Sequence, residues 1–203
     1  MTHIFLDIET VPMEIKDEAI KNYLMDKKIS RKSRSFHPLY SKIIVIGIKE
    51  LNKPIEVLYN DNENALLEMA WQILGKNPFS VIVTFNGYKF DIPFLIIRSC
   101  INSIKLPIQI NTNRWAMERS NHFDVMLFFS QYETFLNSSP EVIGRFLNID
   151  NLEKNSITGA DIERIYNEGK IEEIKRKCEN DIELLEAIFK KGCLSYIEAK
   201  KFS

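Results

Sequence analysis

The sequence predicts an α/β domain built on a mixed β-sheet flanked by helices. Three observations carry that expectation. The run HIFLDIET (3–10) opens the chain with the β-rich residues Ile4, Phe5, Leu6 and Ile8. The stretch SVIVTF (80–85) is a continuous apolar run of the kind found in a strand buried on both faces. Between and after them lie segments whose apolar residues recur at a period near 3.6, most densely in the C-terminal half. Strands interleaved with helices and followed by more helices point to a layered α/β architecture. With 203 residues the chain suffices for one substantial domain and hardly for two, so a single domain over 1–203 is expected.

The elements follow in order. After the first strand, Glu14 to Lys28 reads as a helix with Ile15, Ile20, Tyr23 and Leu24 as its apolar positions. KKISRKSRS (27–35) is a basic, serine-punctuated loop, suited either to a solvated linker or to an edge that contacts phosphate. SKIIVIGIKE (41–50) and IEVLY (55–59) read as two hairpin-paired strands. NENALLEMAWQILGK (62–76) carries Leu66, Leu67, Ala70, Ile73 and Leu74 at helical spacing, with Gly75 and Pro78 where a helix would stop. Beyond strand 80–85, Pro93 and the long apolar stretch after it predict a helix from about Asp91. SPEVIGRFLNI, TGADIERIYNEG and KIEEIKRKCENDIELLEAIFKKG each carry a start or stop signal and helical periodicity.

Composition excludes some classes. An apolar fraction of 45%, a charged fraction of 27% and a formal net charge of −1 are ordinary for a soluble globular protein and advertise no global basic field. Cys100, Cys178 and Cys193 are widely spaced without a CxxC pair, which suits reduced thiols better than a disulfide frame or a zinc site. No apolar run is long enough to span a bilayer and no secretory leader is recognisable, so a cytoplasmic protein with no membrane partner is expected.

The first strand poses a chemical problem. Asp7 and Glu9 sit two residues apart within it and therefore point to the same face. Burying like charges side by side costs several kcal/mol unless a positive group joins them. Two further acids stand where they could meet this pair: Asp91, just after the buried strand, and Asp181, in the last long helix. Alone, Asp91 is equally a helix N-cap, and Asp181 an exposed partner for Lys177 one turn earlier. Together, four carboxylates become favourable around two divalent cations, since magnesium takes oxygen ligands and two such ions ~3.5–4 Å apart clamp an in-line phosphoryl displacement.

FLDIET resembles the DxE motif of the DEDD superfamily of 3′→5′ exonucleases. FNGYKFDIPFL resembles the second motif, N-x-x-x-F-D, through Asn86, Phe90 and Asp91, and CENDIELL the third through Asp181. The chain is most similar to the predicted exonucleases related to the proofreading domain of family B DNA polymerases. HFDVM (122–126) and ITGADIERIYNEGKIEEI (157–174) look like further segments of that group. The resemblance runs from residue 3 to about residue 190. It implies a ribonuclease-H-like fold and a 3′→5′ exonuclease that hydrolyses phosphodiester bonds at single-stranded DNA or RNA 3′ ends, releasing nucleoside 5′-monophosphates. Asp7, Glu9, Asp91 and Asp181 would hold two Mg²⁺ or Mn²⁺ ions, with Thr10 contacting substrate. Asn86 either bonds a ligand phosphate or sugar or closes the turn after the strand, and Phe90 either packs in the core or wedges against a terminal base. A proofreading role would need a separate polymerase or repair partner.

One position departs from the pattern. The third motif places Tyr or His four residues before its Asp to orient the attacking water, and here that residue is Lys177. A neutral lysine of lowered pKa would position or deprotonate water, whereas a protonated one would stabilise charge on the phosphate. Tyr166 and Tyr88 are candidate substitutes. A lysine facing solvent would instead fit a catalytically weak or inactive ribonuclease-H-like module that binds nucleic acid or protein. His122, Asp124 and the Trp115, Arg114, Arg119 group are secondary candidates: His122 for orienting water or for packing, Asp124 for a helix cap or support of a metal ligand, and the last group for a stacking and phosphate-binding rim, with core or interface packing the alternative for Trp115.

Overall fold

The computed structural model describes residues 2–115, 120–149 and 157–199. Its sheet has the order β3-β2-β1-β4-β5, with β1 (His3–Pro12), β2 (Ser41–Glu50), β3 (Ile55–Tyr59), β4 (Val81–Thr84) and β5 (His122–Asp124). β1 is central. It pairs antiparallel with β2 and parallel with β4, while β2–β3 is antiparallel and β4–β5 parallel. This is the expected mixed α/β sheet.

The alternation of β1 sorts the core. Ile4, Leu6 and Ile8 pack on one face against α3 (Glu63–Leu74) and α4 (Asp91–Ile101), through Leu66, Leu67, Ile92 and Leu95. On the other face Phe5 packs with Ile182 and Leu185 of α8 (Ile171–Ile188), and Val11 with Ile174 and Cys178 of the same helix and with Ile162 and Ile165 of α7 (Ile162–Asn167). Asp7 and Glu9 lie between Phe5 and Val11 in this alternation, and so on the α8 face.

Some elements differ from expectation. α1 (Glu18–Asp26) begins four residues later than the predicted Glu14, because the Asp17 side chain accepts the Ile20 N–H and caps it there. The basic stretch 27–35 contains a short helix, α2 (Arg31–Arg34), capped by Ser30. β5 spans three residues, His122–Asp124, too few for periodicity to register. α5 (Val125–Phe129) and α6 (Pro140–Phe146) follow it. α8 continues through a π-helical turn, Phe189–Cys193, into α9 (Leu194–Ala199). Among the described residues no helix is long and apolar enough to cross a membrane.

Candidate functional site

The site begins with how closely α8 approaches β1. In the β1–β2 ladder Asp7 lies opposite Gly47. A Cβ at Gly47 would fall 2.5 Å from Ile182 Cδ1 and 2.7 Å from Cys178 Sγ. The missing side chain therefore admits α8 directly against the sheet, and Lys177 and Asp181 arrive with it. The Cys178 thiol donates to the Asp7 carbonyl at 3.9 Å. Next to this point the ladder shifts register between Glu9 and Thr10, the kind of irregularity that re-aims side chains at functional edges.

The result brings carboxylate oxygens of Asp7, Glu9 and Asp181 within 4.8 Å of one another. Burial first, then the charges of Glu9, Asp91 and Asp181, pushes Asp7 well above the ordinary carboxylate range. Burial likewise raises Glu9 to about 7, against the pull of Lys177. Asp7 is half-buried as a residue, yet its Oδ2 is closed from solvent and, among the described residues, has no hydrogen-bond partner. The cluster borders a cavity of 290 Å³ lined by Asp7, Phe85, Thr158, Lys177, Asp181 and Leu185. A larger cavity, 520 Å³, lies between α1 and α2 and holds none of these acids.

Lys177 sits inside the cluster. Its Nζ donates to Glu9 Oε1 at 2.6 Å and to Asp181 Oδ2 at 2.6 Å, and its side chain is 12% exposed. Burial disfavours its charge, but Glu9, Asp181 and Asp7 outweigh that and hold the ammonium protonated above lysine's ordinary range. The acids around Lys177 favour its ammonium form, and its side chain does not face solvent. The one-turn pair with Asp181 forms, as a partly buried contact. Neither tyrosine stands in for it: the Tyr88 hydroxyl donates to the His122 carbonyl at 3.0 Å, and the Tyr166 hydroxyl accepts from Lys42 at 2.9 Å.

Asp91 arrives from the other side. It is the first residue of α4 rather than its N-cap, which is Phe90. Its Oδ1 accepts the Ile8 N–H at 3.1 Å. β4 pairs with β1 only at His3, Ile4 and Phe5, so the carboxylate serves as acceptor beyond the end of that ladder. Burial raises Asp91 to about 8, with the backbone N–H groups of Asp91 and Ile8 pulling the other way.

The turn that delivers Asp91 is held by Asp124. Its carboxylate caps α5 through the Leu127 N–H, and also accepts from Asn86 N at 2.9 Å and Tyr88 N at 3.2 Å. Burial outweighs these donors and raises its pKa. Asn86 has φ 61°, and its carbonyl accepts from Lys89 N and Phe90 N, so its backbone closes the turn. Gly87 is required there, since a Cβ would fall 2.1 Å from Thr84 Oγ1. His122 is fully buried. Its Nδ1 lies 3.2 Å from the Asn111 carbonyl and its Nε2 2.8 Å from Thr84 Oγ1. A carbonyl only accepts, so Nδ1 carries the proton and Nε2 accepts from Thr84. Burial lowers its pKa to about 4. It is a packed core histidine.

The substrate candidates have separate surroundings. Thr10 is buried, and its hydroxyl donates to the Ser35 carbonyl at 3.0 Å, tethering the end of the basic segment to β1. Phe36, which follows, is exposed and lies 6.2 Å from the Phe90 ring, which also packs on Phe94. Arg31 of the basic segment pairs with Glu163. Trp115 is exposed, stacked on Tyr132 and covered by Arg114 at 4.7 Å; Arg119 lies outside the described residues. Sequence reasoning missed Gly47, whose signal was a glycine inside a β-branched strand. It also missed the buried pair in which Arg98 Nη2 meets Glu63 Oε2 at 2.5 Å and Arg98 Nη1 reaches the Pro38 carbonyl.

The all-oxygen donor set of Asp7, Glu9 and Asp181, with an unpartnered oxygen on Asp7, fits a hard divalent cation such as Mg²⁺ or Mn²⁺. The family described as "Predicted 3'-5' exonuclease related to the exonuclease domain of PolB" matches residues 39–185, a span that holds Asp91, Lys177 and Asp181 and begins after β1. No curated protein matches the chain. Among solved structures, the family B DNA polymerase from the hyperthermophilic archaeon Pyrobaculum calidifontis matches with a TM-score of 0.67 at 14% identity, over 94% of this chain and 24% of that one. The likeness shows the fold, a ribonuclease-H-like sheet flanked by helices, and this chain spans about a quarter of the polymerase's length.

Proposed function

The chain belongs to the family of predicted 3′–5′ exonucleases related to the exonuclease domain of PolB, and from that premise we propose that it is a divalent-cation-dependent 3′→5′ exonuclease folded as a single domain. Its substrate would be the single-stranded 3′ end of DNA or RNA and its product nucleoside 5′-monophosphates. The observation that carries the reading is the convergence of Asp7, Glu9 and Asp181, with an unpartnered Asp7 oxygen, beside the 290 Å³ cavity. That volume lies at the small end of ligand pockets (~300–1,000 Å³), in keeping with one terminal nucleotide rather than a duplex.

Asp7, Glu9, Asp91 and Asp181 are the ligands available to Mg²⁺ or Mn²⁺, which would supply positive charge to the scissile phosphate and acidity to the attacking water. The chain's own groups do the rest. Water adds to phosphorus as the bond to the neighbouring 3′-oxygen breaks, and that oxygen leaves with a proton. Lys177, held protonated between Glu9 and Asp181, serves as a fixed positive charge facing the pentavalent phosphate rather than as a base. Phe90 and the adjacent Phe36 offer an aromatic edge for the terminal base, where stacking contributes ~1–3 kcal/mol. The Asp124-held turn at Asn86 fixes the approach of Phe90 and Asp91.

The test is a 5′-labelled single-stranded DNA and its RNA counterpart, incubated with Mg²⁺, with Mn²⁺ and with EDTA, beside an Asp7→Ala protein prepared in parallel. A ladder shortening from the 3′ end, absent in EDTA and in the variant, is the expected result. No ladder on either strand with either metal would replace the enzyme by a binding module of the same fold.

A further inference from the structure

Within the cation-dependent reading just given, the position of one side chain bears on how many cations the site takes. Lys177 Nζ stands 2.6 Å from Glu9 Oε1 and 2.6 Å from Asp181 Oδ2. A magnesium ion chelated by the same two oxygens would lie about 2.0–2.1 Å from each. The two positions fall in the same gap, and an ammonium and a divalent ion cannot share it. Lys177 is also built in rather than draped over the site. It shares a helix face with Asp181 four residues on, its side chain is 12% exposed, and its helix is seated against the sheet where Gly47 leaves room for Cys178 and Ile182.

The other half of the cluster has the opposite character. Asp7 Oδ2 is buried and unpartnered among the described residues, and Asp91, whose charge acts on Asp7, adds a carboxylate on that side that accepts the Ile8 N–H through Oδ1. One cation position is therefore filled by an ammonium and one is left with an open ligand oxygen. We propose that Lys177 replaces one of the two cations, so that the site takes a single divalent ion on the Asp7 side and uses the Lys177 ammonium as the second positive charge. This gives the departure at position 177 a function: the residue that usually orients water has become a covalently tethered counter-ion.

Equilibrium dialysis against Mn²⁺, with a nucleoside 5′-monophosphate on both sides to fill the phosphate position, counts bound ions without asking for turnover. The expected result is one ion per chain for the natural protein and two for Lys177→Ala, with a spin-coupled Mn²⁺ pair in the electron paramagnetic resonance spectrum of the variant alone. Lys177→Met, which keeps the aliphatic stem, repeats the count should the alanine variant fail to fold. Two ions in the natural protein overturn the proposal, as does a count of one that neither variant raises. No bound ion in any of the proteins removes the cation-dependent reading itself, an outcome distinct from the other two.

Discussion

Asp7 and Gly47 face each other across the β1–β2 ladder, and the side chain absent from Gly47 lets α8 close over the carboxylate of Asp7. The geometry of the cluster thus depends on a residue that contributes no functional group to it. Ile182 and Cys178 fill the space a Cβ would need, and Lys177 and Asp181 are carried in on the same helix.

Gly47→Ala should accordingly damage both stability and site. The added methyl overlaps Ile182 Cδ1 at 2.5 Å and Cys178 Sγ at 2.7 Å, and overpacking of this kind costs roughly 1–3 kcal/mol. Ile182→Val removes the nearer of the two atoms, so the double variant should regain part of the lost stability, a coupling read by a double-mutant cycle in urea. Strict additivity would show that α8 does not bear on Gly47.

Asp91 separates fold from chemistry. Its Oδ1 accepts the Ile8 N–H, a role that an asparagine oxygen can fill and alanine cannot. Asp91→Asn should melt close to the natural protein while losing most exonuclease activity. Asp91→Ala should lose activity and, in addition, about 1–3 kcal/mol for a buried donor left unsatisfied. Equal melting of the two variants would mean that the hydrogen bond to Ile8 contributes nothing.

Most of the fold was legible because its strands are long or strongly apolar and its helices periodic. Ser41–Glu50 and Ile55–Tyr59 form strands where the sequence placed them, and Asp91 opens a helix as expected. β5 was not legible, since three residues carry no period and its pairing with β4 is non-local. Within the site, the spacing of Asp7 and Glu9 gave their shared face, because strand alternation is local. The placement of Lys177 was not available in this way. Whether a lysine on an amphipathic helix meets solvent or carboxylates depends on how near the helix comes to the sheet, and here a glycine on a neighbouring strand decides that.

His122 should make the protein acid-sensitive. Its unfolded pKa is near 6.5, and burial lowers the folded value to about 4. Between those values the unfolded chain binds more protons, so its contribution is present above pH ~6.5 and is lost as pH falls through ~4. With 1.36 kcal/mol per unit, the full loss is about 3 kcal/mol. His122→Gln should start less stable but lose that much less between pH 7 and pH 4. Parallel stability curves for the two proteins in guanidinium chloride would overturn the assignment.

Lys177 makes a second pH prediction, of the opposite sign. Burial raises Glu9 from 4.5 to about 7 even with Lys177 holding it down. A carboxyl raised in the folded state binds more protons there than in the unfolded chain, so stability falls as pH rises from ~4.5 through the folded value. Lys177→Met removes the group that opposes this, and Glu9 must then either ionise unpaired or keep its proton at still higher pH. In EDTA the variant should lose about 2–3 kcal/mol at pH 8, below the cost of breaking a fully buried pair because Asp181 is 28% exposed. At pH 6, where Glu9 is largely protonated in both proteins, the loss should be smaller. Saturating Mn²⁺ at pH 8 should restore the variant by more than it raises the natural protein, since it fills the position the ammonium held. Thermal melts at the two pH values, with and without the metal, read all four quantities. A loss equal at pH 6 and pH 8 would show that the Lys177 ammonium is not what holds the charge on Glu9.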